Sequence, residues 1–147
     1  MVEVRPIAPA DLSDWLSMRL ELYPDEPSSV IKNEIDSYFI DGTIAERSHG
    51  AFIALMNEQT AGFVEVSDMG QKRCHVESWF VFPGMRHSGA GRALIKACEC
   101  WARSRNAILL TSDTNEDYPD SPPAHKACGF HASENDMLFE KRLGDQS

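Results

Sequence analysis

Two short groups of residues carry side chains able to do chemistry. The first is Glu77, a lone carboxylate inside an otherwise strand-like run, His75-Val76-Glu77-Ser78-Trp79-Phe80-Val81-Phe82. The second is Arg86-His87-Ser88-Gly89-Ala90-Gly91-Arg92, a basic loop that opens a helix-patterned segment. A carboxylate fixed in a strand is a candidate general acid or base. A helix start offers backbone N–H groups without intrahelical partners, and with arginines beside them they form a phosphate grip. Gly89 and Gly91 leave room for a ligand to approach the backbone. The pattern R-x-x-G-x-G lacks the third glycine and downstream acid of a dinucleotide fingerprint, and the lysine and hydroxyl of a nucleotide-hydrolysing loop. The phosphorylated partner is therefore expected to be held rather than cleaved.

Other chemistry-bearing residues are scattered. Cys74, Cys98, Cys100 and Cys128 show neither a CxxC pair nor zinc spacing, and read as reduced thiols used as small apolar residues. The histidines, His125 among them, form no ligand pattern, so no metal is expected. With 14 Lys+Arg against 23 Asp+Glu, the net charge of −9 argues against nucleic acid as partner and raises the local concentration of cationic substrates. Tyr23 and the acidic residues Asp25 and Glu26 fall where a first helix stops, a common location for binding residues. The start, MVEVRPIAPADL, has no signal-peptide pattern and no apolar run is long enough to cross a membrane, so a cytoplasmic protein is expected.

The elements that must position these groups follow from periodicity. Residues 2–7 read as a strand. A helix capped by Asp11 carries Leu12, Trp15, Leu16, Arg19, Leu20 and Tyr23 at helical spacing and ends at Pro24. A second follows Ser28, with Val30, Ile31, Glu34, Ile35, Tyr38 and Phe39 in register. Residues 51–56 and 61–66 flank the turn 57–60 as a hairpin, and 67–73 read as a polar link to the strand at 75–82. A helix over about 90–103 places Ala90, Ala93, Leu94, Ala97 and Trp101 on one stripe. A buried-type strand follows at 107–111, ending in Ser112-Asp113-Thr114. Ser121, as a cap before Pro122 and Pro123, then opens a short helix closed by Gly129, and 137–143 form a last strand. The order β-αα-βββ-α-β-α-β predicts one α/β domain, residues 1–147, with a mixed central sheet flanked by helices.

The loop and its setting resemble the GCN5-related N-acetyltransferases (GNAT), whose pyrophosphate loop has the form R/Q-x-x-G-x-G/A after a strand. His125-Lys126-Ala127-Cys128-Gly129-Phe130 is similar to that family's short helix ending in Gly-Phe. Within the family the chain looks most like aminoglycoside 6'-N-acetyltransferases. It shares Trp15, Leu20 and Tyr23-Pro24; Phe52-Ile53-Ala54; Gly62-Phe63; Glu77 before Trp79-Phe80-Val81-Phe82-Pro83; Ser112-Asp113-Thr114; and Phe139-Glu140-Lys141. The resemblance implies the GNAT fold and acetyl-CoA as donor. Pantetheine would lie along Trp79, Phe80 and Val81, and pyrophosphate on His87, Ser88, Gly89, Ala90, Gly91 and Arg92. It implies Glu77 as the group that holds the acceptor ammonium and takes its proton. His125 stands where many relatives have a tyrosine that protonates the thiolate, and Tyr118 where an asparagine meets the cofactor. Tyr23, Asp113 and Glu134 would bind acceptor amines, with Glu26 added from its place at the helix end. A homodimer is a further expectation. The segment between Phe63 and Glu77 is shorter than in the enzymes it resembles. The other readings are a GNAT enzyme for another amine (a kasugamycin-like aminocyclitol, a polyamine, an amino acid or a protein amine) and a non-catalytic acetyl-CoA-binding regulatory module.

Overall fold

The crossover that carries the basic loop fixes the architecture. In the computed structural model, which describes residues 1–133 and 137–144, strand β5 (Arg73–Val81) runs into helix α3 (Ala90–Ser104), and α3 returns the chain to β6 (Leu109–Asp113). These two strands pair in parallel, as a connection through a helix allows. The remaining strands, β1 (Val2–Pro6), β2 (Thr43–Ile44), β3 (Arg47–Met56), β4 (Gln59–Gly70), β7 (His131–Ala132) and β8 (Leu138–Arg142), pair antiparallel. The sheet order is β1-β3-β4-β5-β6-β8-β7, with β2 on β3. Helices α1 (Leu12–Leu22), α2 (Ser28–Asp41) and α4 (Ser121–Ala127) complete the chain. The mixed α/β sheet expected from sequence is therefore present.

Alternation along the strands feeds two cores. On one face Val64, Val66, Cys74, Val76, Leu110 and Phe139 pack against Leu94, Ile95 and Cys98 of α3. On the other Ile53, Phe63 and Phe80 pack against Trp15 and Met18 of α1 and Ile31 and Ile35 of α2. Truncating a fully buried residue such as Leu94 to alanine costs about 2–5 kcal/mol in such a core. Lys141 of β8 pins the α3 face, donating to Glu99 Oε2 at 2.8 Å and to the Cys128 carbonyl at 2.7 Å.

Several boundaries differ from the sequence reading. Residues 67–73 are no link: β4 continues to Gly70 and a two-residue turn, Gln71-Lys72, leads directly into β5. Gln71 (φ 55°) and Lys72 (φ 60°) are both left-handed, the geometry of a type I′ hairpin. Ala45 (φ 52°) and Glu46 (φ 66°) do the same between β2 and β3, which starts at Arg47 rather than at residue 51. Asp11 is the N-cap residue of α1, as expected, but its side chain makes no bond to the first turn. Its carboxylate accepts two N–H bonds from Arg5, at 2.6 and 2.9 Å, and one from the Ala8 amide. Asp120, not Ser121, occupies the N-cap of α4.

Candidate active site

The site begins with an irregularity in β5. Opposite β4, Glu65 pairs with Ser78 and Val66 with Val76, so Glu77 is an extra residue without a partner, a β-bulge. Strict alternation would send Glu77 and Ser78 to opposite faces. The bulge instead turns both toward α1 and α2, while Trp79 and Val81 pack on the α3 side. Ser67, fully buried on β4, donates to Glu77 Oε2 at 2.6 Å. At the residue before the bulge β5 and β6 part: their ladder ends at Val76 opposite Ser112. A gap therefore opens between the two strands where the two side chains emerge.

On the α1/α2 side Glu77 and Ser78 form part of the wall of a cleft of about 250 Å³, together with Arg19, Tyr23, Glu26, Glu34, Arg47, His49 and Glu65. Its floor is a buried ion cluster. Glu65, 3% exposed, accepts from Trp15 Nε1 at 2.8 Å and from Arg19 at 3.1 Å, and the other end of the Arg19 guanidinium bonds Glu34. Burial pushes the Glu65 carboxyl up, and the Arg19 charge and the indole N–H pull it back. Burial works against the Arg19 charge too, but Glu65 and Glu34 outweigh it and hold its pKa above the ordinary value. Tyr23, the C-cap of α1, lies against Arg19 and sends its hydroxyl to the bulge. It donates to the Glu77 carbonyl at 3.1 Å and shares a bond with Ser78 Oγ at 2.9 Å. Burial pushes the Tyr23 phenol up to about 12, so it stays a neutral donor at physiological pH.

On the α3 side the basic loop meets the helix start. Gly89 is the N-cap of α3 with φ +94°, a conformation that costs an L-residue about 1–2 kcal/mol, and a Cβ there would meet nothing within 4 Å. Gly91 packs on Trp79, with a Cβ position 3.4 Å from the indole. His87 is left-handed as well, and Ser88 Oγ accepts from the Ala90 amide at 3.3 Å. His87, Gly89 and Arg92 face solvent. The start of α3, whose first-turn N–H groups have no acceptor within the helix, thus sits beside the exposed Arg86 and Arg92, a fit for a diphosphate. Trp79 Nε1, a buried donor without a partner among the described residues, lies beside this loop. Phe80 differs from its neighbours in the strand: its ring is 9% exposed in the α1/α2 core beside Phe63 and Phe82, leaving its backbone alone for a ligand.

Other expected site residues take different places. His125 is 2% exposed, stacked on Phe139 and edge-on to Trp79. Its Nδ1 lies 2.8 Å from the Ser121 carbonyl, which can only accept, so Nδ1 carries the proton and Nε2 accepts from Ser112 Oγ at 2.7 Å. Burial lowers its pKa, with the bond to Ser121 opposing. The ring is neutral, fully bonded and has no proton aimed at the gap, which does not fit the expected acid. Asp113 ends β6 and is 65% exposed, held by His75 at 3.6 Å, which keeps its carboxyl below the usual range. It stands by the gap but outside the cleft wall. The Tyr118 hydroxyl donates to the Leu22 carbonyl at the end of α1, at 2.7 Å. Glu134 lies outside the described residues. Arg19, Glu65, Glu34, Ser67 and Ser78 join the site without being among the residues the sequence points to. Arg19 within an apolar helical stripe and Glu65 in phase with buried Phe63 were the available signals.

The chain matches the acetyltransferase (GNAT) family over residues 10–130. It is 35% identical over 147 residues to an aminoglycoside N(6')-acetyltransferase type 1 of Klebsiella aerogenes, covering 95% of this chain and 96% of that protein. It is 29% identical to the enzyme of the same name from Stenotrophomonas maltophilia, covering 95% and 93%. Among solved structures, the aminoglycoside 6'-N-acetyltransferase AAC(6')-Ih of Acinetobacter baumannii superposes with a TM-score of 0.77 at 28% identity, covering 98% of this chain and 100% of that one. AAC(6')-Iy in complex with the bisubstrate analog CoA-S-monomethyl-acetylneamine superposes at 0.75 with 25% identity, covering 92% and 94%. A strand that runs into a basic, glycine-bearing helix start, a bulge that presents a carboxylate, and these matches along the chain's length lead to one conclusion: the chain belongs to the acetyltransferase (GNAT) family.

Proposed function

We propose that the protein is an acetyl-CoA-dependent N-acetyltransferase acting on the 6'-amine of an aminoglycoside. The observation that carries this reading is Glu77, presented by the bulge where a polar cleft on one side of β5 meets the β5/β6 gap on the other. Acetyl-CoA is the donor substrate. The start of α3 with His87, Ser88, Gly89, Ala90, Gly91 and Arg92 holds its pyrophosphate, and the edge of β5 from Trp79 to Val81 guides its pantetheine. The relative solved with a CoA–acetylneamine conjugate supports joining these two ligands at one site.

The acceptor arrives as an ammonium, attracted by the chain's net charge of −9 and bound through Tyr23, Glu26, Glu77, Asp113 and Glu134. Glu77, steadied by Ser67, takes one proton from the ammonium directly or through a water. The freed lone pair forms a C–N bond to the thioester carbonyl carbon, and the C–S bond breaks with its electron pair going to sulfur. The second nitrogen proton ends on the thiolate, and Glu77 releases its proton to solvent. His125 hands over none. Thiols have pKa values near 8.5, so the leaving group needs little assistance. His125 instead braces Trp79 and ties α4 to β6 through Ser121 and Ser112.

This reading makes the protein a cytoplasmic antibiotic-resistance enzyme, with a homodimer as its assembly. No helix among the described residues is long and apolar enough to cross a membrane. One observation favours a second acceptor class. Arg47 lines the cleft with no carboxylate partner among the described residues, its contact being Met69 Sδ. That suits an amine carried next to an anion, as in an amino acid. A CoA-release assay over aminoglycosides with and without a 6'-amine, polyamines, amino acids and peptides tests both. Turnover confined to 6'-amino compounds is expected; turnover of the others alone overturns the aminoglycoside reading.

A further inference from the structure

Hydrogen bonds link the two sides of the β5/β6 gap beyond the end of the strand ladder. Tyr23 reaches from the end of α1 to the Glu77–Ser78 bulge, by bonds of 3.1 and 2.9 Å. One residue earlier, the Leu22 carbonyl receives the Tyr118 hydroxyl at 2.7 Å, a contact between residues 96 positions apart. From Tyr118 the chain runs back through Thr114 and Asp113 to Ser112, which pairs with Val76 across the base of the gap. Covalent chain and hydrogen bonds thus form a closed ring: Val76, the bulge, Tyr23, Leu22, Tyr118, Ser112.

The β6–α4 loop that delivers Tyr118 has a fixed shape. The Tyr118 amide bonds the Asn115 carbonyl at 3.1 Å, the Ser121 amide bonds the Tyr118 carbonyl at 3.0 Å, and Asn115 Oδ1 accepts from the Asp117 amide at 2.8 Å. Farther along, Asp120 pairs with Arg86 at the donor loop, at 3.3 Å. The half-buried Tyr118 side chain is therefore a strap between two anchored segments.

We propose that Tyr118 is a specificity-determining residue for the acyl group: by closing the ring it sets the width through which the thioester end of the donor meets the acceptor, and it excludes acyl groups longer than acetyl. This rests on the acetyltransferase reading above. Discrimination of one added methylene by a packed wall is worth about 10–200-fold in kcat/KM. Loss of the strap relaxes that selection without touching the groups that hold the pyrophosphate.

The test measures kcat/KM for acetyl-CoA and propionyl-CoA with one acceptor, in wild type, Tyr118→Phe and Tyr118→Ala, together with CoA affinity by calorimetry. Tyr118→Phe keeps the ring volume and removes one hydrogen bond, so it stays informative if the alanine variant folds poorly. The expected result is that the acetyl-to-propionyl ratio falls by about tenfold in Tyr118→Ala and by less in Tyr118→Phe, with CoA affinity held within about twofold. An unchanged ratio in both folded variants overturns the proposal. So does a large loss of CoA affinity with the ratio intact, which would make Tyr118 a cofactor contact. A wild type inactive with every amine would instead sink the acetyltransferase reading, and this inference with it.

Discussion

The two faces of β5 solve different problems by different means. Toward α3, Trp79, Val81 and Gly91 come from one continuous stretch of chain, and the loop that follows supplies its N–H groups without distant help. Toward α1 and α2, the cleft is assembled from α1, α2, β3, β4 and β5 around an ion cluster whose members Arg19 and Glu65 are 46 residues apart. The donor side is a local motif. The acceptor side is a long-range construction, and its shape depends on charges that must remain paired out of water.

This contrast is broken most severely at the ion cluster. Arg19→Met leaves Glu65 buried with the Trp15 indole as its remaining donor. Thermal or urea unfolding should show a loss of about 3–5 kcal/mol, the usual cost of removing one partner of a buried pair. Arg19→Met/Glu65→Gln should recover most of it. A loss below about 1 kcal/mol in the single variant would mean that the cluster does not hold the cleft.

The donor side should respond locally. Gly89→Ala meets no steric wall, so its effect is conformational: φ is +94°, and a free loop that relaxes from this left-handed conformation must recover it, at ~1–2 kcal/mol, to hold CoA, which weakens CoA affinity by about tenfold. Calorimetry reads this directly. Acceptor KM should stay constant in the same variant, and a change in acceptor KM alone would blur the division between the faces.

The smallest effect concerns His125, which braces Trp79 from behind the donor face. Its pKa is lowered by burial in the folded chain, so the unfolded state binds the proton more readily. Its contribution to stability is present above the ordinary pKa of about 6.5 and is lost as the pH falls through that value toward the depressed folded one. Comparing wild type with His125→Asn between pH 5 and 8, the stability difference should shrink toward acid. A difference that grows toward acid would contradict the neutral ring.

The same contrast explains what was legible in the sequence. Strand, basic loop and α3 could be read because periodicity and glycine spacing are local signals, and α3 begins at Ala90 as expected. The bulge could not be read, because an extra residue in a ladder is defined by the partner strand. Glu77 was found for its type, while its shared face with Ser78 was not. The short β2 and the β4–β5 turn leave no sequence signal, because Ala45-Glu46 and Gln71-Lys72 adopt left-handed turns without the usual glycine. His125 was placed by resemblance, yet its role depends on Ser112 and Ser121, which only the tertiary fold brings to its two nitrogens. The Asp11 carboxylate and the Tyr118 hydroxyl likewise take partners set by the tertiary fold, Arg5 and Leu22.

The central claim is that donor binding and acceptor activation meet at Glu77 without sharing residues. Glu77→Gln tests it in one variant: the amide keeps the size of the side chain and removes the base. The account predicts that turnover at saturating acetyl-CoA and acceptor falls by about 10²-fold or more, with CoA affinity unchanged. Turnover within about twofold of wild type, or a parallel loss of CoA affinity, would contradict it.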